Sequence, residues 1–291
     1  MVSVPPSPLV ACPFGRIALV FQGGGALGSY QAGVYQALHE AGLEPHWLAG
    51  VSIGALNAAI IAGNRVEDRL PRLRAFWERV TARPVWPLTP DGDDFRRARN
   101  IMASGALPPG LPMVRIGGEY FRDGGLVSNT PLQYLLEDEA DHRDALVFQV
   151  DLFPARGPLP RDMEEVLGRE KDIRYSSRTR MNTDAYTRLR RWQLRLKSAL
   201  GRLPEAALTE DERAMRRRLA RLPRIAILHL IYQQKAYEGQ AKDYEFGPET
   251  MREHWQGGYD DTRRTLAQRQ WLELPPEAPG IVTHDVHKEA E

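Results

Sequence analysis

Cysteine is almost absent from this chain. The single thiol, Cys12, permits no internal disulfide and no cysteine-based zinc site across 291 residues, so a packed core has to supply the stability. Long hydrophobic runs are lacking: no apolar stretch approaches the ~20 residues of a membrane-spanning helix. The N-terminus has neither a basic start nor a long apolar stretch, so it does not read as a secretory signal. An excess of one charge is missing too. Thirty-nine Lys+Arg against 38 Asp+Glu leave a formal net charge of +1, which removes the general case for nucleic-acid binding. His39, His46, His254, His284 and His287 show no metal-ligand spacing, and no cofactor is expected. These absences point to a soluble, cytoplasmic globular protein.

What is present centres on Trp47-Leu-Ala-Gly-Val-Ser-Ile-Gly-Ala-Leu-Asn57. An apolar lead-in, Gly50-x-Ser52-x-Gly54 and a run of small helix formers predict strand, tight turn and helix. Gly50 and Gly54 remove side chains that would collide in such a turn. Ser52 then sits at a helix N-terminus, where free N–H groups favour developing negative charge, and it reads as a nucleophile.

A second glycine cluster lies upstream. Ile17-Ala-Leu-Val-Phe21 is a continuous apolar run, as a buried parallel strand requires. Gln22-Gly-Gly-Gly-Ala-Leu-Gly28 follows, then an apolar helical pattern that Gly42 is placed to end. Gly23-x-Gly25-x-x-Gly28 matches a dinucleotide fingerprint, yet the acidic residue that would hold a ribose is missing where the next strand ends in Ala49-Gly50-Val51-Ser52. The competing reading is an oxyanion hole in which the N–H groups of Gly24 and Gly25 face the carbonyl attacked by Ser52, joined by that of Ile53.

Downstream, Leu70, Leu73, Phe76, Trp77 and Val80 form a helical core stripe. A proline-rich linker spans about 83–100. Gly117-Gly118 between two short apolar segments predicts a hairpin, which delivers Asp123-Gly124-Gly125. Beside a serine, an aspartate in a partly buried place can orient the hydroxyl and take its proton.

Glycine loop, Gly-x-Ser-x-Gly and Asp-Gly-Gly in this order, with Ala103-Ser-Gly-Ala-Leu-Pro108 and Asp123-Gly-Gly-Leu-Val-Ser-Asn-Thr-Pro131 around the hairpin, resemble the patatin-like phospholipases over about Arg16 to Asp151. The resemblance implies a three-layer α/β/α fold with a mainly parallel central sheet. It implies a Ser52–Asp123 dyad without histidine, an oxyanion loop of Gly23, Gly24, Gly25 and Gly28, and hydrolysis of acyl esters or phospholipids. Compared with the family pattern, the linker at 83–100 replaces a longer stretch that supplies strands and much of the acyl pocket. A binding protein that has lost its acyl pocket is therefore the alternative, with a nucleotide enzyme using the Gly23 loop behind it. A histidine triad through His229 is weighed and set aside, because Ile225-Ala-Ile-Leu-His-Leu-Ile231 reads as a strand with a core histidine.

The expected organisation is a disordered arm at 1–15, a catalytic domain at 16–155, a helical C-terminal extension packed on it at 156–275, and a tail at 276–291. From Asp151 to Arg224, 19 Lys+Arg face 11 Asp+Glu. Within this basic region a helix near 186–200 mixes Arg188, Arg190, Arg191, Arg195 and Lys197 with Leu189, Trp192, Leu196 and Leu200. It reads as a solvated face over core packing, or as a peripheral contact with an anionic membrane.

Overall fold

A computed structural model describes residues 12–82, 105–106, 112–138, 141–176, 179–235, 238–239 and 242–285. The arm up to residue 11 and the linker at 83–100 lie outside them.

Five strands form one sheet: β1 (Arg16–Phe21), β2 (Trp47–Gly50), β5 (Ala145–Asp151), β6 (Ile225–Ile231) and β7 (Ile281–Asp285), in the order β2-β1-β5-β6-β7 and parallel throughout. A separate hairpin pairs β3 (Val114–Ile116) with β4 (Glu119–Phe121). Its turn residues Gly117 and Gly118 both have positive φ, 58° and 95°, as the sequence predicts.

The helices, in chain order, are α1 (Gly28–Glu40), α2 (Ile53–Ala62), α3 (Val66–Ala82), α4 (Leu132–Leu136), α5 (Met163–Tyr175), α6 (Thr179–Gly201), α7 (Glu210–Ala220) and α8 (Pro248–Ala267). They cover both faces. Leu19, Phe21, Phe148 and Leu228 pack under residues of α1, α2, α3 and α8, including Tyr30, Ile61, Trp77 and Trp255. Ala18, Val20, Val147 and Ile227 on the other face pack under Leu132 and Leu135 of α4 and Tyr186 of α6. Burial on both sides explains why β1 and β5 are apolar along most of their length. The fold is the expected α/β/α arrangement.

The organisation of the C-terminal half differs from expectation. It is not a helical layer laid on a finished domain, because β6 and β7 are two of the five sheet strands. Ile281–Asp285, expected in a tail, pairs with β6 from Ile225↔Ile281 to His229↔Asp285. The strand escapes sequence reading because it is five residues long, half polar, and fenced by Pro276, Pro279 and Gly280. Phe14, expected in the arm, is buried in the main core, with Cys12 packed against it.

α8 follows β6 and seals α1. The two helices touch backbone to backbone: a Cβ on Gly33 would strike the Trp255 carbonyl, and one on Gly258 would strike the Tyr30 carbonyl. Glycine on both sides removes the side chains that would hold the axes apart. The Tyr30 hydroxyl then donates to Asp261 across the contact at 2.7 Å.

Candidate active site

The carboxyl ends of β1 and β2 deliver the two glycine-rich turns side by side. After β2 the chain reverses at Ser52, which has φ 55° and ψ −125° and is the only described residue other than glycine with positive φ. Such a conformation costs of order 1–3 kcal/mol and persists only where the surroundings enforce it. Here they do. A side chain on Gly50 would collide with the Gly54 carbonyl, and one on Gly54 would lie 2.6 Å from the Phe21 carbonyl. The turn is locked by Val51 N–H donating to Phe21 O and Gly54 N–H to Val51 O. Ser52 becomes the N-cap of α2, its carbonyl accepting from Ala55 and Leu56.

The hairpin brings Asp123 to this turn. Its carboxylate accepts from the Ser52 hydroxyl and from Gly125 N–H, the latter at 2.8 Å. Asp123 is only 4 % exposed. Burial pushes its pKa above the ordinary aspartate value, and the bonds from Gly125 and Ser52 offset part of that rise. Gly124 and Gly125 begin the short 3-10 turn that holds the carboxylate in place.

In the loop after β1, Gly23 donates its N–H to Asn129 O at 3.3 Å, and Gly28 donates into its own helical turn, to Gly25 O and Ala26 O. Neither N–H is open to an oxyanion, which corrects their expected role. They are packing glycines instead: a Cβ on Gly23 would crowd Asn129 and Ser52, and one on Gly28 would crowd Ile53 and Trp77. Among the described residues no backbone carbonyl outside the loop accepts from Gly24 or Gly25. Ile53 opens α2 next to Ser52, where an N–H group has no intrahelical acceptor.

Sequence reading missed the residues that hold this loop. The Gln22 carboxamide accepts from Leu152 and Phe153 N–H at 2.6 and 2.9 Å and donates to Thr130 and to Tyr175 O. Asn129 donates to Gly23 O and to Tyr175 O. A polar residue ending an apolar strand was the available signal for Gln22. No local signal points to Asp243, whose carbonyl accepts from Ala26 N–H at 2.8 Å. Gly25, at φ 54°, leaves room for that carbonyl. Asp243 is fixed in turn by a crossed pair of ion pairs, Lys171–Asp243 and Asp172–Lys242, at 2.5 and 2.7 Å.

His229 lies elsewhere. It pairs with Asp151, beside Gln149 and Thr130, in a buried polar cluster on β5 and β6. β6 is three strands from β2, about 14 Å at the usual strand spacing. A triad through His229 and Ser52 is thereby excluded in this arrangement.

A parallel sheet covered by helices on both faces, with a strained serine at a helix N-terminus hydrogen-bonded to a buried aspartate, defines a three-layer α/β protein. The comparisons specify it. A family model described as patatin-like phospholipase matches residues 19–95 and 87–136, and one described as patatin phospholipase matches 173–278. The chain belongs to the patatin-like phospholipase family. The triacylglycerol lipase ptl3 of Schizosaccharomyces pombe is 42% identical over 62 residues, which are 21% of this chain and 13% of that protein. The crystal structure of VipD from Legionella pneumophila superposes with a TM-score of 0.37 at 14% identity, over 94% of this chain and 72% of that one. Among the described residues no helix is long and apolar enough to cross a membrane.

Proposed function

We propose that this chain hydrolyses acyl esters of lipids, with Ser52 as nucleophile and Asp123 as base. The observation that carries the reading is the hydrogen bond from the strained Ser52 to a buried carboxylate of raised pKa. Ser52 Oγ attacks the ester carbonyl carbon and its proton passes to Asp123. The N–H groups of Gly24, Gly25 and Ile53 hold the oxyanion of the tetrahedral intermediate. The carbon–oxygen bond to the alcohol breaks, and the alcohol leaves with the proton from Asp123. Water, deprotonated by the same carboxylate, then attacks the acyl carbon; the acyl–Oγ bond breaks, the acid leaves and Ser52 Oγ takes that proton back from Asp123.

Fluorophosphonate labelling with mass mapping tests this. The expected adduct is on Ser52 and is lost in Asp123→Asn. Ser52→Ala should lower ester turnover by roughly 10³-fold or more. Folded protein that takes no label favours a binding protein without hydrolase activity. The family match falls into two segments that overlap at 87–95, within the linker, and this supports that second reading.

The reading extends to a peripheral membrane contact through α6. Leu189, Trp192 and Leu196 are exposed on this helix, flanked by exposed Arg188, Arg191 and Arg195, so the apolar stripe faces solvent and not the core. Co-sedimentation with anionic vesicles should fall in Trp192→Ala and at high salt. Equal binding to neutral vesicles would argue against an electrostatic contact.

A further inference from the structure

Three glycines in a row leave Gly23-Gly24-Gly25 without a side chain to fix its peptide planes. The direction of the Gly24 and Gly25 N–H groups must therefore be set from outside the loop. The supports meet on α5. Tyr175 lies one turn after Lys171 and Asp172, so the three share a side of this helix.

Tyr175 serves the start of the loop. Its carbonyl accepts from the Gln22 and Asn129 carboxamides, both at 3.0 Å. Asn129 also donates to Gly23 O at 3.1 Å. Gln22 holds the N–H groups of Leu152 and Phe153, the two residues that Gly24 packs against. Lys171 and Asp172 serve the end of the loop. Lys171 pairs with Asp243, and Asp172 with Lys242. The Asp243 carbonyl then takes Ala26 N–H at 2.8 Å and fixes the peptide plane next to Gly25. The Asp243 side chain is 8% exposed and that of Lys171 20%. Without Lys171 a nearly buried carboxylate loses its counter-charge and is drawn toward water. The carbonyl of the same residue shifts with it.

We propose that the last turn of α5 clamps both ends of the glycine loop, with Lys171 and Asp243 as positioning residues that aim the Gly24 and Gly25 N–H groups at the oxyanion. This role rests on the ester hydrolysis proposed for Ser52 and deepens it. Neither side chain is a catalytic residue; both act through the loop.

Kinetics of Lys171→Met, Asp243→Asn and the double variant on a short-chain p-nitrophenyl ester test the clamp. Each is assayed well below its melting point, so unfolded protein does not contribute. A misaimed donor weakens the transition state more than the ground state. In each single variant kcat should fall roughly tenfold or more with KM little changed. Both changes break one link, so the double variant should lose no more than the worse single one. Hydrogen exchange read by mass spectrometry should quicken over residues 22–27 in all three, while β5 stays protected. Wild-type kcat in the variants overturns the proposal, as do losses that multiply in the double variant or unchanged exchange over 22–27. The hydrolase reading fails separately, on wild-type protein that neither takes fluorophosphonate nor turns over ester. Exchange over 22–27 then decides the clamp by itself: faster exchange upholds it, and unchanged exchange ends it.

Discussion

Asp123 sits where ionisation is resisted, and two consequences follow. In the proposed dyad its carboxylate is the form that accepts the Ser52 proton, so kcat/KM should fall as pH drops through its pKa. The acid limb should lie above the ordinary aspartate value of 3.8, and His229→Gln should leave the profile unchanged. A limb that His229→Gln abolishes would count against the dyad. The second consequence concerns stability. A pKa raised in the folded state means that folding favours the protonated form, so Asp123 contributes most at low pH and loses that contribution as pH rises through the folded pKa. Asp123→Asn should therefore melt higher than the wild type at neutral pH, with the gap closing on acidification. Thermal melts across pH would show the crossing. The turn of Gly50, Ser52 and Gly54 was legible because its strain is met by particular residues at fixed spacing, whereas Asp123 gained a meaning only in the company of that serine. Gln22 and Asn129 were not, because their partners lie more than a hundred positions away in Thr130, Leu152 and Gly23.

Secondary elements were legible in proportion to their periodicity. The buried strands β1, β5 and β6 and the stripe of α3 declared themselves; β7, short and half polar, did not. The contacts between elements were invisible. Gly33 and Gly258 look like helix defects, yet they set the approach of α1 to α8. Gly258→Val should cost about 1–3 kcal/mol or more by forcing the helices apart, measured by denaturant unfolding. The crossed ion pairs between α5 and the 242–243 segment give a sharper test. Lys242 and Asp172 have side chains only 2% and 6% exposed, so Lys242→Met leaves a buried carboxylate unpaired at a cost of about 3–5 kcal/mol. Removing Asp172 as well, in an Asp172→Leu/Lys242→Met double variant, should recover most of it.

At the scale of the molecule, the two family matches divide the chain where the sheet does not. Residues 19–136 carry the serine and the aspartate, while 173–278 carry β6, α8 and the Asp243 carbonyl that seats against Gly25. The sheet depends on both. Deleting the residues from 223 onward would strip β6 and β7 from β5 and bare the α1 face that α8 covers. Size-exclusion chromatography of that truncation should show aggregated protein, because a long apolar strand edge recruits other chains. A monodisperse, folded product would show that the first half is self-sufficient.

The position of Asp243 has a consequence in time. A ribosome releases Ser52 and Asp123 into solution long before residue 243 emerges, at roughly 5–20 residues per second. In that interval Gly25 has no carbonyl to close on, and β5 has no neighbour on its far side. A nascent chain thus holds both side chains of the proposed dyad without a seated glycine loop. On the proposed reading, competence to attack esters would arrive only after residue 243 has emerged.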